Sequence, residues 1–230
     1  MKLLLVNSNT EDSFVALYSE PDLIVSRTTD YIVDSDLSGQ SSLRPPDKLI
    51  QCLSEIARRL EAKGSSLEDI DAISVIIGPG SFTGIRVGLA IAKGTADALD
   101  KKIIPIDNFE LTLNRLNSID KEKNYCVLIP AKLPEYYFSV RKNGSEISSG
   151  YGEISTIRSI IGKDTAVVGD FSNEFEEFLK YFEVLNTKGL KTELDSMVEL
   201  SVSHFNEGRM YPSEKIEPLY LKDFIAKRKN

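Results

Sequence analysis

The sequence is poor in the residues that most often build a catalytic or metal centre. Its 230 residues include one histidine, two cysteines and no tryptophan. The cysteines, Cys52 and Cys126, lie far apart and form no CxxC pair, which excludes a disulfide framework and favours two structural thiols. His204 alone cannot build a two-histidine metal site, and no GxSxG motif supplies the serine of a hydrolase triad. We therefore expect neither a metal site nor a hydrolase triad, with His204 in a structural or solvent-facing role.

Long apolar runs are also lacking. The N-terminus MKLLLVNSN has four consecutive apolar residues, whereas a signal peptide needs roughly seven or more and a membrane span about 20. Basic charge is scarce too, because the formal net charge is −7, and an acidic chain is poorly suited to grip nucleic acid through its phosphates. We expect a cytoplasmic protein with no membrane segment and at most an indirect role with nucleic acid.

The pattern of apolar runs, turn residues and helical spacings predicts an α/β protein. Strands are predicted at 3–6, 14–18, 23–33, 70–77, 102–106, 125–129, 136–141, 146–148 and 165–168. Helices are predicted at 46–63, 82–99, 156–161, 174–181 and 194–205. Each half of the chain begins with strands and continues with helices and a returning strand. This repetition predicts two related lobes, an N-terminal lobe at 1–105 and a C-terminal lobe at 106–230.

A glycine-rich stretch, GPGSFTGIRVGLAIAKG, follows the predicted strand at 70–77. It lacks the GK[ST] ending of a Walker A loop, and its glycines miss the GxGxxG spacing by one residue. A strand-to-helix turn still offers backbone N–H groups at a helix N-terminus, which is a general anion site. Gly80, Ser81 and Thr83 are therefore candidate phosphate-binding residues, and a purely structural turn is the alternative.

The helix predicted after this turn has one face made of very small residues. Gly84, Gly88, Ala92 and Ala96 follow one another at a spacing of four. Glycine inside a helix costs up to about 1 kcal/mol relative to alanine, so a close approach of another backbone is the natural compensation. That backbone is either the protein's own sheet or a helix of a partner. Phe82, Ile85 and Leu89 form a separate stripe that we expect to face the protein's own core.

The stretch GPGSFTGIRVGLAIAKGTADAL closely resembles the signature of the TsaB family, also called YeaZ. The resemblance extends to the opening hairpin at 1–17, to IDNFEL at 106–111, to the hairpin at 125–140 and to the closing PLYLK at 218–222. It covers the first 110 residues well and the second half loosely. It implies an actin-like (ASKHA, RNase H-like) fold of two lobes, each with a mixed sheet and helices.

The resemblance also implies a function. The family takes part in forming N6-threonylcarbamoyladenosine (t6A) at position 37 of tRNA, as a non-catalytic scaffold or activator of the catalytic paralogue TsaD. A small ATPase, TsaE, joins the complex. Family members contact tRNA only indirectly, through the complex. Family members that lack their partner self-associate. We accordingly expect no intrinsic cofactor, with ATP or ADP at the partner interface as the nucleotide site to be tested.

In that family the partner binds helices of the first lobe, which correspond here to 46–63 and 82–99. The residues that we expect to contact the partner lie on these two helices: Leu49, Leu53, Ile56, Gly84, Arg86, Gly88, Ala92 and Ala96.

The chain departs from the family pattern at two places. Asn7 stands where the family has the aspartate of a strand-Asp-Thr-Ser opening, which in active superfamily members helps to hold metal and phosphates. Pro130-Ala131-Lys132 stands where the second hairpin often carries Asp-Ala-Arg. Both changes favour a scaffold. An active ATPase or small-molecule kinase of the same superfamily remains the alternative, and a self-sufficient homodimer with an unrelated binding role is a second one.

Overall fold

A computed structural model of the chain describes residues 1–8, 13–20, 22–27, 45–132, 134–170 and 181–222. The chain divides into two compact units. Unit 1 comprises Met1–Ile106 and Met197–Pro218, and unit 2 comprises Asp107–Ser196 and the segment that begins at Leu219. The chain first passes from unit 1 to unit 2 between Ile106 and Asp107, next to the boundary predicted at 105. The structure differs from the prediction in returning 197–218 to unit 1, whereas we had placed all of 106–230 in one lobe.

Unit 1 is built from a five-stranded sheet with long helices beside it. The elements from the first part of the chain are β1 (Lys2–Asn7), β2 (Phe14–Ser19), β3 (Asp22–Arg27), α1 (Pro45–Glu61), β4 (Ala72–Gly78), α2 (Phe82–Leu99) and β5 (Lys102–Asp107). The sheet order is β3-β2-β1-β4-β5. Strands β1 and β2 form the predicted antiparallel hairpin, with Leu4 opposite Leu17.

Unit 2 contains a second five-stranded sheet. Its elements in chain order are α3 (Asn108–Asn114), β6 (Asn124–Pro130), β7 (Glu135–Lys142), β8 (Ser145–Glu153), α4 (Ile154–Ile160), β9 (Thr165–Gly169) and β10 (Val184–Asn186). Helix α5 (Glu193–Asn206) follows, and its residues from Met197 onward belong to unit 1. The predicted helix at 174–181 lies outside the described residues except for Tyr181, and so does the predicted strand portion at 31–33.

The two sheets repeat one topology. In unit 1 the first strand pairs antiparallel with the second and parallel with the fourth, and the second pairs antiparallel with the third. In unit 2, β6, β7, β8 and β9 repeat these pairings in the same order. The sheet order β10-β9-β6-β7-β8 is therefore the order of unit 1 read from the other edge. The predicted architecture of two related α/β lobes, each with a mixed sheet, is confirmed.

Helices α1 and α2 cover one face of the unit 1 sheet because each has an apolar stripe at helical spacing. On α1 the stripe consists of Leu49, Cys52, Ile56 and Leu60, all buried. These side chains pack with alternate residues of β1, β2 and β4 in one cluster. Ser74 lies between Ile73 and Val75 on β4 and therefore points to the opposite face of the sheet, where it is also buried. There the Ser201 hydroxyl of α5 donates a hydrogen bond to Ser74 Oγ at 2.7 Å.

The unit 2 sheet is buried on both faces along β6. Cys126 and Leu128 pack with Phe138, Ile157 and other residues on one face, whereas Tyr125, Val127 and Ile129 pack with Phe109, Leu113 and others on the opposite face. Burial raises the pKa of the Cys126 thiol to about 12, so it stays protonated and unreactive at neutral pH. Cys52 is likewise a buried thiol. The expectation of two structural cysteines fits both environments.

Within the part of the chain that the structure describes, no helix combines the length and the apolar character that crossing a membrane requires.

Candidate functional site

Helix α2 begins at a tight turn whose backbone requires glycine. Gly78 and Gly80 have φ angles of 115° and 157°, values that residues other than glycine rarely adopt. Ser81 is the N-cap, and its Oγ accepts a hydrogen bond from the backbone N–H of Gly84 at 3.2 Å. At the other end Asp100 takes the left-handed conformation that ends many helices. Local sequence therefore explains both ends of this 18-residue helix.

The stripe of small residues predicted on α2 faces the protein's own sheet. A Cβ placed on Gly84 would lie 2.2 Å from the carbonyl oxygen of Ser8, and one on Gly88 would lie 2.2 Å from Ser8 Oγ. Ala92 and Ala96 continue the stripe and are fully or almost fully buried. The small residues thus let α2 approach the end of β1, which was the structural alternative in the sequence analysis.

The structure places most of the predicted partner contacts against the protein's own sheet. Gly88, Ala92 and Ala96 are buried under α2, and Leu49 and Ile56 are buried under α1. Gly84 is half-buried, with its α-carbon against β1. The physical reason is that both helices use these residues to cover their own sheet, so these residues do not lie on the outer face of the helix pair.

The outer side of the helix pair forms an open apolar groove of about 370 Å³. Residues of α1 and α2, with one residue from the 3-10 turn that precedes β4, line it: Ile50, Leu53, Leu67, Ala90, Ile91, Gly94, Thr95, Ala98 and Leu99. Leu53 is the predicted contact residue that does lie here, partly buried. We call these nine residues the α1–α2 groove.

A second stripe of small residues runs along the groove. Ala90, Gly94 and Ala98 follow one another at a spacing of four, and all three are exposed. A Cβ on Gly94 would meet no heavy atom within 4 Å among the described residues. Glycine inside a helix lowers its stability by up to about 1 kcal/mol relative to alanine. No close approach of another described part of the chain explains a glycine at position 94. This is the arrangement expected where a second helix packs closely.

The other end of the same exposed face carries larger side chains. Arg86 and Phe82 continue the spacing of four from Ala90 toward the helix N-terminus, and the Arg86 guanidinium carbon lies 3.8 Å from the centre of the Phe82 ring. This cation–π contact holds the guanidinium group in place at the surface. Phe82 is 38% exposed, so it does not join the core as predicted, whereas Ile85 and Leu89 do. Arg86 remains a predicted partner contact on the accessible face.

The candidate phosphate-binding residues lie where α2 begins. Ser81 and Thr83 are exposed and Gly80 is half-buried. Ser81 Oγ accepts a hydrogen bond from the N–H of Gly84, and the Thr83 hydroxyl is exposed in the same first turn of the helix. Phosphate binding here stays a prediction.

Elsewhere the described residues contain no group of three or more His, Cys, Asp or Glu side chains placed to hold a metal ion. Asn7, which stands in place of the family's aspartate, is fully buried at the end of β1. A carboxylate with a displaced pKa occurs in unit 2, where burial raises the pKa of Asp107 to about 6. Its Oδ1 accepts from the N–H of Phe109 at 2.7 Å, so this carboxyl acts as the N-cap of α3.

Apart from Leu53, the sequence analysis missed the residues that line the groove. Ile50 is 53% exposed and lies off the buried stripe of α1, although its apolar character is evident in the sequence. The Ala90–Gly94–Ala98 stripe has the same spacing as the inner one and lies on the same helix. A search for a second small-residue stripe on α2 would have found it.

Comparisons with known proteins find similarity to TsaD and TsaB proteins. The model of the TsaD family, tRNA N6-adenosine threonylcarbamoyltransferase, matches residues 49–156. The tRNA threonylcarbamoyladenosine biosynthesis protein TsaB of Haemophilus influenzae is 28% identical over 186 residues, which cover 74% of this chain and 78% of the relative. The TsaB protein of Escherichia coli is 23% identical over 245 residues, which cover 100% of this chain and 98% of the relative.

The chain is similar to TsaB (YeaZ) proteins over most or all of its length. The structure of YeaZ from Pseudomonas aeruginosa superposes with a TM-score of 0.64 at 18% identity, covering 95% of this chain and 100% of YeaZ. That likeness concerns the fold. Together with the repeated sheet topology, it confirms the predicted fold class of two related α/β lobes, each with a mixed sheet and helices.

Proposed function

We propose that this chain is a non-catalytic subunit in the biosynthesis of t6A in tRNA, and that it binds a TsaD-type paralogue through the α1–α2 groove. The function is supported by two relatives, covering 74% and 100% of this chain, that are named for tRNA threonylcarbamoyladenosine biosynthesis. One observation supports this surface: the exposed glycine at position 94, which lies between Ala90 and Ala98 on α2. The resemblance implies the same two helices, α1 and α2. The proposed surface uses their outer faces, whereas most of the contacts predicted from the sequence lie on their inner faces.

The groove suits a helical partner on physical grounds. Its residues are aliphatic or small, so docking would remove apolar surface from water at about 25 cal/mol per Å². The exposed half of Ile50 alone is worth about 1 kcal/mol when covered. Gly94 lets a helix axis approach more closely than a larger residue would. Arg86, held on Phe82 at the end of the same face, supplies a polar rim to an apolar centre.

A TsaD-type partner is favoured because the same kind of surface is expected on it. The TsaD model matches this chain from residue 49 onward, a range that contains nearly all of α1 and the whole of α2. A paralogue with an equivalent helix pair would pack that pair against α1 and α2 of this chain. The two chains would then be related by a nearly two-fold rotation. A two-fold interface between identical chains uses the same surface on both sides, and two paralogues with equivalent helix pairs would approximate that arrangement.

The same reasoning extends the proposal to the isolated chain. Without its partner, a second copy offers an identical groove, so we propose a homodimer through α1 and α2 that competes with the paralogue. A single variant at Gly94 would then weaken both associations. A variant that weakens one and leaves the other intact would separate the two surfaces.

Three further components of the proposal concern ligands and other partners; the ATPase and tRNA come from the family resemblance, and the nucleotide-binding residues come from the strand-to-helix turn. A TsaE-type ATPase joins the complex, tRNA is met through the complex, and ATP or ADP binds at the partner interface near Gly80, Ser81 and Thr83. The exposed position of Ser81 and Thr83 supports the last of these. Equilibrium dialysis of ATP against this chain, the paralogue and their mixture tests it, with binding expected in the mixture alone.

The experiment that tests the function is a reconstitution with the TsaD-type paralogue, the TsaE-type ATPase and tRNA from the same source, supplied with the threonylcarbamoyl donor. Nucleoside analysis by mass spectrometry is expected to show t6A when this chain is present and a large loss when it is omitted or replaced by Ile50→Lys. Full t6A formation without this chain would overturn the proposal. ATP turnover by this chain alone would favour the kinase or ATPase alternative.

A further inference from the structure

We draw no further inference here: the strongest candidate, the outer edge of strand β8 in unit 2, which pairs with no other strand among the described residues, is interrupted where Ile147 bulges opposite Val140 and Arg141, and nothing in the structure shows what would cover it.

Discussion

Ser8 at the end of β1 and Gly84 in the first turn of α2 are packed backbone against backbone. The Ser8 hydroxyl donates to the carbonyl oxygen of Gly84 at 2.6 Å, and the Ser8 carbonyl oxygen lies 2.2 Å from the position that a Cβ of residue 84 would occupy. Glycine at 84 is therefore a condition for seating α2 on the sheet, which explains its place in the signature without any ligand.

Gly84→Ala is expected to destabilise unit 1. Its added methyl group meets a backbone atom that cannot move aside without displacing β1, and overpacking of this kind costs about 1–3 kcal/mol. Gly88→Ala should cost less, because its clash is with a serine hydroxyl that can rotate. Urea unfolding followed by far-UV circular dichroism measures both. Equal stability of Gly84→Ala and the wild type would contradict the close packing of Ser8 on α2.

Gly94→Ala is expected to act in the opposite direction. Its Cβ would point into open space, and alanine is favoured over glycine in a helix by up to about 1 kcal/mol. The free energy of unfolding should therefore rise, measured in the same urea titration at a protein concentration where the chain is monomeric. A loss of stability in the monomer would mean that the described contacts of Gly94 are incomplete.

Ile50→Lys is expected to weaken binding of the TsaD-type paralogue while the fold is retained. A charged group would be placed at the rim of an apolar groove, where docking would strip it of water. Ile147→Lys is the matched control, because Ile147 is 62% exposed and lies on β8 of unit 2, outside the groove. Isothermal titration calorimetry should show a loss of at least about tenfold in affinity, or about 1.4 kcal/mol, for the first variant and no change for the second. Equal affinities of the two variants would place the partner elsewhere.

Asp107 predicts a pH dependence of stability. Its folded-state pKa of about 6 lies above the ordinary value of about 3.9, so the folded state binds a proton more tightly than the unfolded state does. The stabilisation is present at low pH and is lost as the pH rises through about 6. Burial is the main cause, and Glu110 and Glu146 add to it, whereas the N–H of Phe109 and the Arg141 guanidinium oppose it.

Asp107→Asn isolates this effect, because asparagine also caps helices well and carries no charge. Between about pH 4 and pH 7 the variant should gain on the wild type by about 1–2 kcal/mol in unfolding free energy. Urea titrations at several pH values measure the difference. A difference that stays constant with pH, or that changes in favour of the wild type as pH rises, would show that the carboxyl is not displaced as described.

Much of the fold could be predicted because the local signals were strong. Helix α2 was predicted with its observed ends, 82–99, since Ser81 can cap its start and its apolar residues keep helical spacing. The hairpin of β1 and β2 followed from two apolar runs around a polar turn. Strand β10 has three residues, too few for a periodic signal, and it was missed.

The site was harder to predict because periodicity identifies the faces of a helix without saying what each face meets. On α2 both the inner and the outer stripe consist of glycine and alanine at a spacing of four, and the inner one was chosen for the partner. Burial of Gly88 against Ser8 depends on where the sheet lies, which no short window of sequence contains. The return of residues 197–218 to unit 1 is a long-range property for the same reason.

The most direct test of the central claim is the mass of this chain mixed with its TsaD-type paralogue, measured by size-exclusion chromatography with light scattering. Gly94→Leu fills the outer face of α2 without touching the described core, and Ser203→Leu, on an exposed position of α5, is the control that adds the same side chain elsewhere in unit 1. We predict a heterodimer with the wild type and with Ser203→Leu, and separate elution with Gly94→Leu although that variant remains folded. A heterodimer that survives Gly94→Leu unchanged would contradict docking in the α1–α2 groove.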